Sequence, residues 1–164
     1  MIKARIKRGA ICTGLATVIL FSGCASPKNE GSVEVHEGAP LTSFSQEITS
    51  PIHEFQVKAG AAYVLDIAVK NTGTQPWFGS TTQMPVHAGY RWHNSNGDVL
   101  PIEGTRAQLD RPELKPGETA QLKLTVVAPP TPGSYTLHVS MVQEGVSWFF
   151  NAGAQPLILQ ATVN

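Results

Sequence analysis

The sequence has little cysteine and, after Cys24, no helical pattern, and both shortages narrow the choice of fold. Its two cysteines, Cys12 and Cys24, lie near the start, so residues 25–164 contain none and no disulfide can hold that region together. No window of about 11 residues after Cys24 shows an apolar stripe of helical period. The chain after Cys24 must therefore be stabilised by packing, in a fold without helices.

Motifs of catalysis and metal binding are also missing. No serine lies in a Gly-x-Ser-x-Gly setting. No His-x-His, Cys-x-x-Cys or His-Glu-x-x-His spacing occurs, and the five histidines are scattered, at His36, His53, His87, His93 and His138. We expect no metal site, no cofactor and no enzymatic activity.

The opening of the chain predicts an export signal. Four basic residues lie among the first eight, and an uncharged, mostly apolar stretch follows at residues 9–21. That stretch would make about 20 Å of helix, which is too short for a hydrocarbon core of about 30 Å. A basic start, a short apolar run and small residues after it are typical of a secretory signal.

Residues 20–24, Leu-Phe-Ser-Gly-Cys, resemble the bacterial lipobox. The resemblance implies cleavage between Gly23 and Cys24, a diacylglycerol on the Cys24 sulfur and acylation of the new amino group. Phe21 departs from the small or aliphatic residue usual at its position, and an ordinary cysteine after an uncleaved anchor is the alternative. Membrane lipid is thus the expected partner of Cys24.

The predicted organisation is a signal peptide at 1–23, a lipidated flexible tether at 24–40 and one domain at 41–164. Ala25 stands where an aspartate would often signal retention in the inner membrane, so we expect the periplasmic face of the outer membrane if the organism has two membranes. Without its four leader charges the chain has eight basic against twelve acidic residues. A mildly acidic domain without a basic stripe is a poor candidate for nucleic acid.

Alternation of apolar and polar residues predicts β-strands through the domain. Turn signals such as Asn71-Thr72-Gly73, Asn96-Gly97 and Pro132-Gly133 separate the runs. Because Asn-Gly favours the positive φ of a tight hairpin, the strands on either side of Asn96-Gly97 are expected to pair. The predicted strands are 44–49, 54–58, 62–71, 87–93, 98–102 (resuming at 106–109), 119–128, 134–143, 146–150 and 157–163.

Seven to nine short strands predict an all-β, immunoglobulin-like antiparallel sandwich. Trp92 lies where such a sandwich has its core tryptophan, and Tyr135 follows Pro132-Gly133 where a tyrosine corner would close a turn. The disulfide that often joins the two sheets is missing.

Six segments occur in order along the domain: Asn71-Thr72-Gly73 with Trp77, Gly89-Tyr90-Arg91-Trp92, Gly104-Thr105-Arg106, Leu114-Lys115-Pro116-Gly117-Glu118, Pro132-Gly133-Ser134-Tyr135 and Val142-Gln143-Glu144-Gly145-Val146-Ser147-Trp148-Phe149. Together they resemble one known module, an immunoglobulin-like sandwich often appended to bacterial glycosyltransferases, methyltransferases and related envelope-polysaccharide enzymes. The resemblance implies a non-catalytic accessory domain that contacts a glycan or a partner protein, here without an attached enzyme.

Aromatic residues with polar neighbours are the candidate ligand-binding residues, because the apolar faces of sugars stack on indole rings. The set is Trp77, Phe78, Trp92, Trp148, Phe149 and Phe150, with Arg91, Arg106, Gln143 and Glu144 as hydrogen-bonding groups. Trp77, Phe78, Arg106, Gln143, Glu144 and Trp148 are its main members. The alternative places Trp92, Trp148 and Phe150 in the core and makes Arg106 and Glu144 a structural ion pair. Loops 73–84 and 104–116 offer a second function, the binding of an envelope protein, and a spacer without a ligand is the third.

Overall fold

The computed structural model describes residues 38–102 and 104–164, so the predicted signal peptide, Cys24 and most of the predicted tether lie outside the described residues. Eleven strands and one short 3-10 helix follow one another along the described chain. They are β1 (Gln46–Thr49), β2 (Glu54–Val57), β3 (Ala62–Asn71), β4 (Trp77–Phe78), β5 (Val86–His93), β6 (Ala107–Gln108), β7 (Glu113–Leu114), β8 (Thr119–Val127), β9 (Gly133–Gln143), β10 (Ser147–Trp148), the 3-10 helix (Phe149–Ala152) and β11 (Leu157–Val163).

The strands form two main sheets and a short ribbon. The first sheet has the order β1-β3-β8, the second has the order β2-β11-β9-β5-β6 with β10 added on β9, and β4 pairs with β7 in the ribbon. Seven strands have four or more residues, which confirms the predicted all-β sandwich. One pairing differs from the antiparallel prediction, because β2 runs parallel to β11. In the described part of the chain, no helix has the length and apolar character needed to cross a membrane.

The predicted alternation is what builds the core. In β3 the inward residues Leu65, Ile67 and Val69 are buried while the residues between them point outward, and β8 alternates in the same way. The apolar side chains of both sheets meet between them in one continuous cluster. Burial of this apolar surface, at about 25 cal/mol per Å², is the main favourable term in folding.

Strands β5 and β9 are covered on both faces, unlike β3 and β8. Residues 86–90 of β5 and 139–143 of β9 form unbroken buried runs. A strand has an unbroken run of buried residues when another part of the chain also covers its outer face. Here the cover is the segment from Glu144 to Ala152, which turns back over the sheet after β9 and includes β10 and the 3-10 helix.

The two predicted landmarks of an immunoglobulin-like sandwich are confirmed. Trp92 is fully buried, and its indole Nε1 donates to the carbonyl oxygen of Val127 at 2.8 Å. The Val127 N–H donates in turn to the Tyr90 hydroxyl at 2.9 Å, so both side chains tie the second sheet to the end of β8. The Tyr135 hydroxyl donates to the Thr131 carbonyl at 2.9 Å, which is the bond of a tyrosine corner.

Two predicted strands are wrong in extent, whereas the predicted resumption at 106–109 is confirmed as β6. Segment 98–102 makes only a single bridge, between His93 and Val99, because the Asn94 side chain accepts from the N–H groups of Asn96 and Asp98 and holds the chain in a loop. Gly97 has the predicted positive φ, 87°. Segment 146–150 is a strand for two residues and then becomes the 3-10 helix, so its alternation does not continue.

The ribbon of β4 and β7 is attached to β3 through one buried side chain, Asn71. Its amide nitrogen donates to the carbonyls of Gln75 and Leu114 at 2.9 and 3.0 Å, and its oxygen accepts from the N–H of Gly73. The predicted turn at Asn71-Thr72-Gly73 thus also fixes the ribbon. Near the start of the described chain, the Gln143 side chain bonds the backbone of Ala39 and Leu41, so the end of the predicted tether packs on the domain.

Candidate ligand-binding site

A glycine in the middle of β5 makes room for an aromatic ring on the outer face of the second sheet. Gly89 faces away from the core, between the inward residues Ala88 and Tyr90. β10 pairs with β9 and places Trp148 opposite Val142, and from there the indole reaches across β9 to Gly89. A Cβ atom at Gly89 would stand 2.7 Å from Trp148 Cη2, closer than real Cβ contacts. Only glycine lets the ring lie this close to the strand.

Four side chains build the exposed part of this face, and we call them the aromatic–arginine stack: Arg91, Arg106, Trp148 and Phe150. The rings of Trp148 and Phe150 are stacked with centroids 5.2 Å apart and planes 27° apart. The Arg91 guanidinium lies 4.9 Å from the Trp148 ring centroid and 4.8 Å from that of Phe150, while Arg106 lies 4.8 Å from Trp148. Such cation–π contacts hold the rings at the surface, where both remain partly exposed.

Glu144 anchors one end of the stack. Arg106 Nε donates to Glu144 Oε1 at 2.7 Å, and His87 Nδ1 lies 3.4 Å from the same oxygen. This confirms the predicted ion pair between Arg106 and Glu144. The pair borders a shallow depression of about 300 Å³ whose lining includes Trp148 and Asn151. The depression thus combines an aromatic face, a cation and a carboxylate.

The same network has the connectivity of a hydrolase triad, since Ser80 Oγ lies 3.2 Å from His87 Nε2. Glu144 makes its shorter contact with Arg106, at 2.7 Å against 3.4 Å to His87. The carboxylate therefore makes its stronger contact with the guanidinium. Ser80, His87, Glu144 and Arg106 thus form one chain of polar contacts.

A second pair of rings lies at the opposite end of the stack. His93 and His138, on neighbouring strands, are stacked with ring centroids 3.9 Å apart. Burial lowers the pKa of His138 below its ordinary value of 6.5, and the nearby charge of His93 lowers it further. His93 Nδ1 lies 3.1 Å from the Gly97 carbonyl, which links this pair to the Asn96-Gly97 loop.

The structure brings three of the main predicted residues together: Arg106, Glu144 and Trp148. Burial corrects two others. Trp77 is fully buried with its ring edge-on to Phe149 at 5.2 Å, so it offers no face to a ligand. Gln143 is also buried, and its amide nitrogen donates a hydrogen bond to the carbonyl oxygen of Ala39.

The remaining aromatic candidates separate by depth. Phe78 is partly exposed in the ribbon, whereas Trp92 and Phe149 belong to the core. The alternative that put Trp148 and Phe150 in the core is wrong, because the 3-10 helix turns Phe149 inward instead. Gly89 and the stacked histidines lie outside the predicted binding residues. A glycine inside an alternating strand is the sequence signal that indicates a close approach.

A protein-family model described as the Ig-like domain from next to BRCA1 gene matches residues 52–152. The chain belongs to this Ig-like family. The matched part of the Ig-like domain includes β2 to β10 and the 3-10 helix, and with them the whole aromatic–arginine stack. A comparison with curated proteins gave no match.

Solved structures similar to this Ig-like domain are distant in sequence. The CARDB domain of a Pyrococcus furiosus protein, in complex with di-metal ions, is 16% identical with a TM-score of 0.42, over 73% of this chain and 90% of that one. A beta-glucosidase from Listeria innocua in complex with glucose is 11% identical with a TM-score of 0.45, over 84% of this chain but only 20% of the enzyme. A PapD-like domain of human CEP192 is 16% identical with a TM-score of 0.30, over 80% and 94% of the two chains.

Proposed function

We propose that this Ig-like domain is a non-catalytic module that binds a glycan of the cell envelope through the aromatic–arginine stack. One observation carries the proposal: Trp148 and Phe150 present partly exposed, stacked rings beside two guanidinium groups and a carboxylate. Neighbouring apolar groups at a surface, rimmed by polar residues, are typical of a binding site.

The chemistry of the stack suits a sugar. The CH face of a pyranose stacks on an indole or phenyl ring, and the hydroxyl groups at its edge pair with Arg106 and with Glu144. The site is also pre-organised, because Gly89 seats Trp148 and Glu144 is held by Arg106 and His87. Pre-organisation reduces the ordering cost of binding.

The proposed setting is the surface of a membrane. Lipid on Cys24 would anchor the chain in the cell membrane, at the periplasmic face of the outer membrane if the organism has two. The resemblance to modules of envelope-polysaccharide enzymes supports a role in polysaccharide assembly. In such a role the domain would hold the polymer near the membrane while another protein acts on it.

A glycan array followed by calorimetric titration tests the proposal, with the full chain kept in neutral detergent. We expect binding to an envelope oligosaccharide, and a loss of about tenfold or more in affinity for Trp148→Ala, because stacking contributes more than about 1 kcal/mol. Val64→Ala is the matched control, since Val64 is 53% exposed on the other sheet. If Trp148→Ala bound the oligosaccharide with unchanged affinity, the aromatic–arginine stack would not be the binding site.

A second function, binding of an envelope protein, is favoured by the ribbon. Because β4 pairs with β7, the ribbon joins loops 73–84 and 104–116 into one surface at the sandwich end, with Phe78 partly exposed between them. A photo-crosslinking amino acid placed at Phe78 in the native envelope should then capture one dominant protein. Capture at Phe78 without any glycan binding would decide for this alternative.

A further inference from the structure

A small hollow lies beside the aromatic–arginine stack, on the side away from Glu144. It has a volume of about 190 Å³ and is lined by Arg91, His93, Val99, His138, Phe150 and Pro156. Pockets for drug-sized ligands measure roughly 300–1,000 Å³, so this hollow suits a single small group. Phe150 and Arg91 belong both to the stack and to the hollow, so a ligand lying on the rings extends directly into it.

The hollow is basic without any acidic residue in its lining. Arg106 pairs with Glu144 and Arg111 pairs with Asp110, but among the described carboxylates none forms an ion pair with Arg91. The Arg91 guanidinium lies instead against the rings of Trp148 and Phe150 and has no hydrogen-bond partner among the described residues. An arginine fork of this kind is the side chain best suited to a carboxylate.

The other walls suit a sugar ring. Phe150, Val99 and Pro156 are apolar and would contact the CH groups of a pyranose, while His93 and His138 add two more nitrogen-bearing rings. The hollow joins apolar walls to a guanidinium that no described carboxylate pairs with. This pattern is complementary to a uronic acid, which is apolar on its ring face and anionic at one corner.

We infer that the hollow binds the carboxylate of an acidic sugar within the glycan that the stack holds. Arg91 donates hydrogen bonds to that carboxylate, and the sugar ring packs on Phe150. This inference rests on the proposed glycan binding and adds to it the charge of the ligand.

Binding of the acid should strengthen as the pH falls. The groups that face the His138 ring are Arg91 and His93 on β5 and Phe150 from the 3-10 helix, with Ile158 beside it on β11, and no acidic group lines the hollow. Burial keeps His138 mainly neutral near pH 7 because it lowers the pKa of that imidazole. A bound carboxylate favours the protonated ring, so ligand and proton bind together.

The test compares three probes on the full chain in neutral detergent: an oligogalacturonide, the neutral galactose oligomer of the same length and an acidic hexapeptide. Quenching of tryptophan fluorescence reports contact with Trp148, since Trp77 and Trp92 are buried, and calorimetry gives the affinities. We expect the oligogalacturonide to bind at least about tenfold more tightly than the neutral oligomer. Arg91→Gln should abolish that preference, and Arg111→Gln, an exposed arginine outside the hollow, should leave it intact.

Each failure has its own meaning. Equal binding of the acidic and neutral oligomers, or a preference that survives Arg91→Gln, overturns the acidic-sugar inference and leaves the glycan function standing. Absence of binding by the oligogalacturonide overturns the acidic-sugar inference, and absence of binding to every glycan on the array overturns the glycan function as well. Preferential binding of the acidic hexapeptide overturns the inference in favour of a protein ligand. An affinity for oligogalacturonide that does not rise between pH 7.5 and pH 5.5 contradicts the part assigned to the histidines.

Discussion

At the scale of single residues, Gly89 decides how closely Trp148 can lie on the sheet. A methyl group at this position would come 2.7 Å from Trp148 Cη2 and 3.2 Å from an Arg106 nitrogen. We therefore expect Gly89→Ala to lift the indole and weaken glycan binding by about tenfold, while the inward residues of β5 stay in place. The emission maximum of Trp148 should shift to longer wavelength as the ring enters water.

A double-mutant cycle gives the control for Gly89. With Trp148 already replaced by alanine, the added methyl group meets the end of the flexible Arg106 side chain instead of the indole, and that side chain can move aside. Gly89→Ala should then cost little further affinity or stability. Equal effects of Gly89→Ala with and without the indole would show that the glycine acts on the strand itself.

The imidazole of His138 predicts a change of stability with pH. Burial first, and the charge of His93 second, lowers the pKa of His138 in the folded chain below 6.5. The unfolded chain then binds the proton more readily, so stability is fully present above about pH 6.5 and is lost as the pH falls through the folded pKa. The denaturant midpoint should fall less between pH 7.5 and pH 5 in His138→Gln than in the original chain.

His53 supplies the comparison for this pH effect. It is exposed between β1 and β2, and no ring of the described residues stacks on it, so His53→Gln should leave the fall in midpoint as it is. If the midpoint of His138→Gln fell as much between these pH values as that of the original chain, the pH dependence would belong to other groups.

At the scale of elements, the strands were easier to predict than the segment that carries the site. Leu65, Ile67 and Val69 alternate with outward residues, and burial of one face makes that pattern sufficient to fix a strand. Trp148 and Phe150 alternate as well, but there the chain winds into a 3-10 turn and buries Phe149 between them. Sequence alternation could not show this, because the segment covers the outside of the sheet and its pattern is set by tertiary contacts.

Gly153 ends that 3-10 helix, and a substitution there tests whether the helix positions Phe150. Gly153 has φ 94°, and its N–H donates to the carbonyl of Phe150. Gly153→Ala should cost about 1 kcal/mol of stability because a side chain disfavours positive φ. We also expect weaker glycan binding in calorimetric titration, since Phe150 moves with the loosened turn.

Gly117 is the matched control for Gly153. It has a similar φ of 84° in the turn before β8, where an added Cβ meets no atom within 4 Å. Gly117→Ala should therefore lose comparable stability and keep its affinity for the glycan. Equal affinities for the two variants would show that the end of the 3-10 helix does not hold the site.

At the scale of the whole molecule, the sandwich could be predicted, but the pairing of one edge strand with its neighbour could not. The prediction of an immunoglobulin-like sandwich depended on Trp92 and Tyr135, whose positions in the chain match a core tryptophan and a tyrosine corner. The parallel pairing of β2 with β11 escaped prediction. Alternation says which face of a strand is buried, whereas the choice of neighbour at a sheet edge depends on how distant parts of the chain meet.

The proposed anchor makes the last prediction, and the two cysteines of the chain provide their own control. Several acyl chains, at about 0.8 kcal/mol per buried CH₂, would hold the protein on a membrane far more firmly than one chain does. Labelled palmitate fed to producing cells should therefore enter the original chain and Cys12→Ser, but not Cys24→Ser. Mass spectrometry of the purified chain should likewise find Cys24 at the amino terminus with its lipid. Label retained by Cys24→Ser, or an uncut chain with a free Cys24 thiol, would remove the membrane from the proposed function and leave the glycan site to be tested without it.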